Sequence, residues 1–273
     1  MSGPLQPLPL YILSAKIERL LEKAEPMSQS DTVVIVPTYN VADNIDDLVT
    51  QLLALSVDVS VLVVDDNSPD GTGNLVEEWI NKYPDRVFAV HRSGKLGLGT
   101  AYIAGFNRAL NELQAKRIMT MDADFSHNPR YIPRMIELSK NKDVVIGSRY
   151  VAGGGSQNCT WKRIWLSKIA NFVARTLLGL DARDTTAGFR LYHSHVLRSI
   201  PLEQIFSSGY SFLVEMLFMC QRRGWHIGEV PIIFEDRRKG QTKISRQEVF
   251  RAQYTVFRLF LRRLFEPNPT RIK

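Results

Sequence analysis

The chain has 273 residues, of which 44% are hydrophobic and 23% are charged, and its formal net charge is +7. This length allows one large domain with a substantial core, and the ordinary Gly and Pro contents exclude a collagen-like or broadly disordered chain. Two cysteines are too few for a disulfide framework, which favours a reducing compartment. No apolar run reaches the roughly 18 residues that a spanning helix needs, so the sequence predicts no transmembrane anchor.

Residues 1–30 are predicted to form an N-terminal extension with a short amphipathic helix. A proline-rich start leads into one apolar helical stripe, whose members are Leu10, Leu13, Ile17, Leu20 and Leu21. A secretory signal is not expected, because no Lys or Arg precedes the apolar stretch and charged residues follow it at once. We therefore predict a cytoplasmic protein.

From Thr32 onward, short apolar runs alternate with longer amphipathic stretches. The predicted strands are residues 33–36, 59–64, 87–90, 117–121 and 144–146, and the predicted helices are residues 43–55, 72–82, 99–113 and 129–139. This order predicts an α/β fold, in which a mostly parallel sheet is covered by helices on both faces.

After Tyr150 the alternation lapses into a glycine-rich stretch, residues 153–158, for which we predict a flexible loop. Helices over residues 161–178 and 210–223 and a strand over residues 228–234 follow. A last helix opens at Ser245 with the spacing of a capping box. We predict one domain over residues 31–243 and a basic amphipathic C-terminal helix and tail over residues 244–273.

Aromatic or acidic side chains follow three of the predicted strands. Tyr39 follows the first strand, Asp65 and Asp66 the second, and Asp122 and Asp124 the fourth. Ligands of open α/β sheets bind outside the carboxyl ends of the strands. Mg²⁺ prefers one or two carboxylates completed by substrate phosphates and water. Each acidic pair alone has a structural interpretation, as a turn or a chance pattern, but their convergence favours a cation site that receives a diphosphate.

Two neighbouring features are interpreted as structural. The segment Gly97 to Tyr102 fails the dinucleotide fingerprint, because Tyr102 stands where the last Gly belongs and the segment follows the third strand. His127, close to the acidic pair, is either a base or ligand or a turn residue before Pro129, and we favour the turn.

Several sequence blocks, in order along the chain, resemble the dolichol-phosphate mannosyltransferases and their bacterial polyprenol-phosphate relatives in glycosyltransferase family 2. The blocks are residues 37–40 (PTYN), 64–72 (VDDNSPDGT), 96–102 (LGLGTAY), 121–127 (MDADFSH), 147–150 (GSRY), 184–190 (DTTAGFR), and 229–232 (EVPI) with Asp236 and Arg237. The resemblance implies a Rossmann-like GT-A fold for residues 31–243 and a metal-dependent, inverting transfer of a hexose to a polyprenyl or dolichyl phosphate. The implied cofactor is Mg²⁺ or Mn²⁺, and the donor first expected is GDP-mannose.

The same resemblance implies roles for individual residues. The implied nucleotide-sugar site comprises Pro37, Tyr39, Val64, Asp65, Asp66, Asp122, Ala123, Asp124, Arg149, Arg237 and Lys243. Within it, Asp122 and Asp124 are the implied metal ligands, and Asp124, Arg237 and Lys243 are the implied catalytic residues. One position departs from the family pattern: Val41 stands where a Glu usually helps to recognise the base. A carboxylate accepts hydrogen bonds from guanine and Val does not, so selection of guanine is in question.

The positive charge is concentrated at the C-terminus, where residues 236–273 carry a net charge of +8 and the rest of the chain carries −1. The last helix has an apolar stripe flanked by arginines, and the stripe consists of Phe250, Tyr254, Phe257, Leu261 and Leu264. Such a helix either lies in a membrane interface or packs on the sheet. We predict a peripheral protein on the cytoplasmic face of a membrane, and no nucleic-acid partner, because the acidic clusters would repel nucleic acid.

Two alternatives remain open from the sequence. One is a polyprenol-phosphate glucosyltransferase that uses UDP-glucose. The other is a non-catalytic peripheral membrane-binding protein, which would explain the basic helix but leave both acidic clusters without a purpose.

Overall fold

The computed structural model describes residues 30–235 and 246–267. Its strands are β1 (Thr32–Thr38), β2 (Ser60–Asp65), β3 (Val87–His91), β4 (Arg117–Thr120), β5 (Val144–Ser148), β6 (Gly155–Gln157), β7 (Arg190–His193), β8 (Ile227–Pro231) and β9 (Ile233–Glu235). Its helices are α1 (Ala42–Leu53), α2 (Thr72–Lys82), α3 (Leu98–Asn111), α4 (Ile132–Ser139), α5 (Trp161–Leu178), α6 (Ser194–Arg198), α7 (Tyr210–Arg222) and α8 (Arg246–Phe265). The predicted N-terminal helix lies outside the described residues.

Seven strands form the main sheet, in the order β3-β2-β1-β4-β7-β5-β8. All neighbouring pairs are parallel except the two that involve β7, which runs antiparallel between β4 and β5. The predicted mostly parallel sheet is therefore confirmed. In this register Thr38 pairs with Asp65, so the ends of β1 and β2 lie side by side, and β4 ends next to them on the other side of β1.

Apolar side chains on alternate positions of β1 face opposite layers of helices. Val33 and Ile35 lie in a cluster with residues of α3 and α7, whereas Val34 and Val36 lie in a second cluster with residues of α1 and α2. All four are fully buried. Each such burial contributes about 1.5–3 kcal/mol, which explains why these short runs form central strands. Helices therefore cover both faces of the sheet, as predicted.

Three details of the sheet differ from the sequence prediction. Strand β7 was not predicted, because the charged Arg190 interrupts its apolar pattern. The strand predicted over residues 228–234 is two strands, β8 in the main sheet and β9 in a small parallel sheet with β6. The loop predicted over residues 153–158 therefore contains a strand. Ile232, between β8 and β9, connects the two sheets, because its N–H donates to Ser148 O of β5 and its carbonyl accepts from Gly155 N of β6.

Helix α8 packs on the body of the molecule through one face. Thr255 and Leu259 on this face are buried, and Leu259 lies in a cluster with residues of α5 and α7. The predicted apolar stripe, from Phe250 to Leu264, is exposed at every position. The stripe thus points away from the protein, and a second face of α8 makes the packing contacts. Among the described helices, none combines the length and apolarity needed to cross a bilayer.

Candidate active site

The β1–α1 and β2–α2 loops are joined at the carboxyl end of the sheet. Three successive main-chain amides of residues 40–42 donate to side chains of the β2–α2 loop. The acceptors are Ser68 Oγ at 3.0 Å, Thr72 Oγ1 at 3.1 Å and Asp70 Oδ2 at 2.9 Å. Burial acts to raise the pKa of the Asp70 carboxyl, but the Thr72 hydroxyl and main-chain amides outweigh it and hold the pKa below its usual value. An ionised Asp70 thus keeps the two loops in one shape.

Asp65 is committed to the same loop structure. Its buried carboxylate accepts hydrogen bonds from Thr38 Oγ1 at 2.9 Å, Ser68 N at 3.0 Å and Ser68 Oγ at 2.6 Å. These bonds tie the end of β2 to the end of β1. All three bonds lie beside the predicted nucleoside site.

Asp66 forms a buried ion pair that the sequence analysis missed. Arg92 Nη1 lies 2.6 Å from Asp66 Oδ1, and both side chains are less than 10% exposed. Burial raises the pKa of the Asp66 carboxyl, Arg92 opposes the rise, and Asp65 adds to it. Arg92 also donates to Thr100 Oγ1 at 2.6 Å, which connects the site to α3. Its position directly after β3 is the signal that could have identified it.

Tyr39 presents an exposed ring at this edge, and Lys95 Nζ lies 4.4 Å from the ring centroid. Pro37 is half-buried in β1. Val64 is fully buried with its side chain in the core, so its side chain does not reach the sheet edge.

Strand β4 delivers the second acidic pair. Asp122 is partly exposed, and its Oδ1 accepts from Tyr102 OH at 3.4 Å. Burial, and next the charge of Asp122, raise the pKa of Tyr102 well above its ordinary value, so the phenol stays protonated and donates. Asp124 Oδ1 accepts from Ser126 N at 3.1 Å and Ser126 Oγ at 2.5 Å. Between the two aspartates, Ala123 O accepts from Asn44 Nδ2 at 3.2 Å, which ties the segment to α1.

His127 has a structural position. Its Nδ1 accepts the main-chain N–H of Asp122 at 3.0 Å, its ring stacks on Phe189 at 5.2 Å, and it is 3% exposed. The ring thus shapes the turn that carries the two aspartates. This agrees with the structural interpretation made from the sequence.

Arg149, at the end of β5, is bound to a carboxylate of the protein. Its Nε and Nη2 each donate to Asp184 at 2.7 Å, and its main-chain N–H donates to the same carboxylate at 3.0 Å. Burial alone would lower the pKa of Arg149, but the hydrogen bonds and charge of Asp184 raise it above its ordinary value. Asp184 belongs to the family block of residues 184–190, but its pairing with Arg149 was not predicted from the sequence. Arg237 and Lys243 lie outside the described residues.

The structure therefore brings Tyr39, Asp66, Asp122 and Asp124 to the ends of three adjacent parallel strands. Within residues 30–235 and 246–267, no three His, Cys, Asp or Glu side chains are grouped so as to hold a metal ion. Two carboxylates with hard oxygen donors nevertheless fit Mg²⁺ or Mn²⁺ that also binds substrate phosphates. The residues at this edge are therefore compatible with a cation that is shared with a phosphorylated ligand.

This fold and the position of the site define a class. The chain is similar to glucosyl-3-phosphoglycerate synthase from Mycobacterium tuberculosis, solved with Mn²⁺, UDP and glucosyl-3-phosphoglycerate (TM-score 0.57, 17% identity, 96% of this chain and 86% of that chain). It is also similar to a mannosyltransferase from Pyrobaculum calidifontis, solved with GDP-Man and Mn²⁺ (TM-score 0.52, 14% identity, 93% and 81%). The fold is that of the GT-A glycosyltransferases.

Sequence comparison narrows the class. Residues 33–200 match glycosyl transferase family 2, and the chain belongs to that family. It is 42% identical to a polyprenol monophosphomannose synthase of Mycolicibacterium smegmatis, over 82% of this chain and 85% of the relative. It is also 42% identical to an undecaprenyl-phosphate mannosyltransferase of Micrococcus luteus, over 78% and 87%. The family inferred from the sequence motifs is confirmed.

Proposed function

We propose that this chain transfers mannose from GDP-mannose to the phosphate of a polyprenyl phosphate. The observation that carries the proposal is the 42% identity, over most of both chains, to two relatives whose names specify mannose and a polyprenyl phosphate acceptor. The convergence of Tyr39, Asp66, Asp122 and Asp124 at one sheet edge supports it, because a nucleotide sugar needs a nucleoside contact and a diphosphate site together.

In this proposal the nucleoside lies against Pro37, Tyr39 and the end of β2, with Asp66 nearest the base or ribose. Asp65 supports this edge through its bonds to Thr38 and Ser68. The diphosphate lies along residues 122–124. Arg237 and Lys243 supply positive charge from the segment after β9, and Arg149 holds the neighbouring loop through Asp184.

Asp122 and Asp124 would hold the divalent cation. When bound, Mg²⁺ or Mn²⁺ supplies positive charge that stabilises the leaving diphosphate. The chain contributes two partly exposed aspartates, whose oxygens accept hydrogen bonds from Tyr102 and Ser126, and a turn in which His127 accepts the main-chain N–H of Asp122. These residues are thus pre-oriented toward phosphate and metal.

The acceptor needs little activation by the protein. A phosphate monoester, with a second pKa of about 6, is largely anionic at neutral pH and can attack the anomeric carbon without a general base. The buried ring of His127, whose Nδ1 accepts a main-chain N–H, is consistent with a mechanism that does not use it as a base. A single displacement of this kind inverts the anomeric configuration.

The identity of the base is the least constrained part of the proposal. Val41 packs its side chain against the core beside α1, and its amide is bound to Thr72, so this position offers no carboxylate to guanine. The discriminating experiment is calorimetric titration of the full chain with GDP-mannose and with UDP-glucose, each with Mn²⁺. We expect GDP-mannose to bind at least tenfold more tightly. Preference for UDP-glucose would favour the glucosyltransferase alternative, and binding of neither would contradict a glycosyltransferase function.

We also propose that the protein works on the cytoplasmic face of a membrane, where a polyprenyl phosphate resides. The exposed apolar stripe of α8, flanked by Arg251, Arg258 and Arg262, supports this location. A protein that only binds membranes would not need the paired acidic strand ends.

A further inference from the structure

The edge of the sheet opposite the candidate active site has a polar cavity. Strand β7 is antiparallel to β4 and β5, and β8 is parallel to β5, so the first residues of β4, β5 and β8 and the last residue of β7 meet there. The cavity has a volume of about 570 Å³, within the range of ligand pockets. Its lining includes three histidines and three basic side chains, which are His193, His195, His226, Arg117, Lys140 and Lys142. Nothing in the proposed transfer chemistry uses these side chains.

The histidines surround one carboxylate. Asp143 precedes β5, His226 precedes β8, and His193 ends β7, with His195 two residues further on in α6. Asp143 Oδ2 lies 3.1 Å from His226 Nδ1 and accepts the main-chain N–H of His226 at 2.8 Å. Asp143 Oδ1 lies 3.5 Å from His195 Nε2. We call these four side chains the histidine cluster.

Asp143 orients two of the imidazole rings. The ring nitrogens turned toward it are Nδ1 of His226 and Nε2 of His195, so the other nitrogen of each ring is directed away from the carboxylate. These side chains are 67% and 53% exposed and are therefore accessible to a ligand. His193 is held differently, with its Nε2 2.8 Å from Ser139 O at the C-terminus of α4, where the helix dipole favours a positive charge.

The charge of the cavity depends on the protonation of the histidines. Lys140 is paired with Glu137 at 2.6 Å, so the remaining fixed charges are +1 from Arg117, +1 from Lys142 and −1 from Asp143, a net charge of +1. Protonation of all three histidines would raise this net charge to +4. Histidine is the side chain that ordinarily changes its charge between pH 5 and 8.

A counter-ion would stabilise the protonated cluster. The rings of His193 and His195 stack with their centroids 5.3 Å apart, and His195 lies 4.9 Å from the ring of Trp225. Two protonated rings at this separation repel each other, and an anion between them and the basic side chains would offset that repulsion. Protons and an anion would therefore bind cooperatively.

The donors in the cavity favour an oxyanion over a metal ion. Across the part of the chain that the structure describes, no three His, Cys, Asp or Glu side chains are placed to share a cation. Protonated histidine, lysine and arginine form charge-assisted hydrogen bonds with phosphate oxygens. Strand β5, five residues or about 16 Å long, separates the cluster from the candidate active site. A ligand in the cavity would therefore occupy a second, separate site.

We propose that the histidine cluster, together with Arg117 and Lys142, binds a small water-soluble oxyanion of the phosphate type and takes up protons when it does so. In the bound state the outward ring nitrogens of His195 and His226 donate to the anion. The anion thereby connects the ends of β5, β7 and β8, which stabilises the folded chain. This proposal does not depend on the sugar donor or the acceptor.

Nuclear magnetic resonance of the histidines tests the location of the site. The full chain, without divalent cations, is titrated at about pH 6.5 with sulfate, a dianion that does not titrate in this range. Of the five histidines, His193, His195 and His226 should show saturable shifts at one common affinity, whereas exposed His91 should not respond. Equal shifts at His91, or no shifts in the cluster, would overturn the proposal. A response of His127 alone would place the anion at the candidate active site and would also overturn it.

The pH dependence of sulfate binding tests the uptake of protons. Affinity measured by calorimetry should fall at least about tenfold between about pH 6 and about pH 8, as the histidines lose their charge. The double variant His195→Gln and His226→Gln should bind at pH 6 as weakly as the unmodified chain binds at pH 8. His91→Gln is the matched control and should bind like the unmodified chain. An affinity that does not change with pH would overturn the proposal.

A lysine variant keeps the test valid if loss of the two histidines disturbs the fold. Lys142→Gln leaves the contacts of Asp143 with His195 and His226 in place and should weaken sulfate binding at least about threefold at pH 6. Lys82→Gln, on α2, is its control. Inorganic phosphate should raise the thermal unfolding midpoint of the control more than that of Lys142→Gln. Equal sulfate affinity of the two variants would overturn the assignment of the anion to this cavity.

Discussion

At the scale of single residues, two adjacent carboxylates have different environments. Asp65 accepts hydrogen bonds from Thr38 and Ser68, whereas Asp66 is paired with Arg92. Both follow the same strand, and both were predicted as nucleotide-site residues. Their different environments depend on Thr38, at the end of β1, and on Arg92, the residue after β3. Adjacent carboxylates in the sequence therefore do not have the same partners in the fold.

Substitution of Asp124 tests the proposed metal site. Asp124→Ala removes a carboxylate from the place where charge on the leaving diphosphate would be stabilised, so we expect transfer to fall at least about 100-fold. Asp46→Asn, on the surface of α1, is the control and should retain activity. Initial rates with saturating Mn²⁺ measure the effect, and circular dichroism checks the fold. Near-normal turnover by Asp124→Ala would reject the metal assignment.

The Arg149–Asp184 pair gives a prediction about stability. Asp184 is fully buried, so Asp184→Asn would leave the Arg149 guanidinium without its counter-charge and should cost about 3–5 kcal/mol of unfolding free energy. Asp31→Asn breaks the exposed pair with Lys116 and should cost less than about 1 kcal/mol. Urea unfolding of both variants provides the comparison. Similar losses in the two would contradict the distinction between buried and exposed pairs.

At the scale of elements, α8 shows how one helix serves two environments. Apolar residues occupy so many positions of α8 that the sequence pattern allowed the predicted stripe to be either an exposed face or the face that packs on the protein. The tertiary structure assigns Leu259 to the core and Phe257 to the outside. This assignment depends on which side of α8 meets α5 and α7, which helical periodicity alone does not specify.

A matched pair of substitutions tests this orientation. Leu259→Ala removes a fully buried side chain and should lower the unfolding free energy by about 2–5 kcal/mol. Phe257→Ala, two positions earlier on the exposed side, should change it by less than about 0.5 kcal/mol. Equilibrium denaturation measures both. A reversed order would mean that the outer stripe is the packing face.

At the scale of the whole molecule, positive charge is concentrated on two helices. Helices α5 and α8 together carry a net charge of +8, and the remaining residues carry −1. The attraction between exposed basic side chains and anionic lipid head groups is screened by salt beyond about 8–10 Å at physiological ionic strength. The affinity of the protein for phosphatidylglycerol vesicles should therefore fall at least about tenfold between about 50 and about 500 mM NaCl, because screening becomes strong over this range.

Vesicles of phosphatidylcholine alone serve as the control for this salt dependence. Their binding should be weaker and nearly independent of salt, because only apolar contacts remain. Sedimentation of protein with each vesicle type measures both. Salt-independent binding to the anionic vesicles would show that the basic residues do not contribute to docking.

The sequence by itself determined the class of fold, the family and most element positions. Helices α2 and α5 begin and end where predicted, at Thr72–Lys82 and Trp161–Leu178, because amphipathic periodicity is a local property. The strand ends that carry Asp66, Asp122 and Asp124 were also evident, since a run of buried apolar residues followed by carboxylates is visible in one dimension.

Only the tertiary structure decided the features that depend on partners distant in the chain. Strand β7 inserts antiparallel between β4 and β5, and its Arg190 is buried because carbonyls of Thr185, Ala187 and Leu213 accept its N–H groups. The ion pairs of Asp66 with Arg92 and of Arg149 with Asp184 have the same origin. Solvation of a charge or an apolar face depends on what packs against it, and that is fixed by the folded chain.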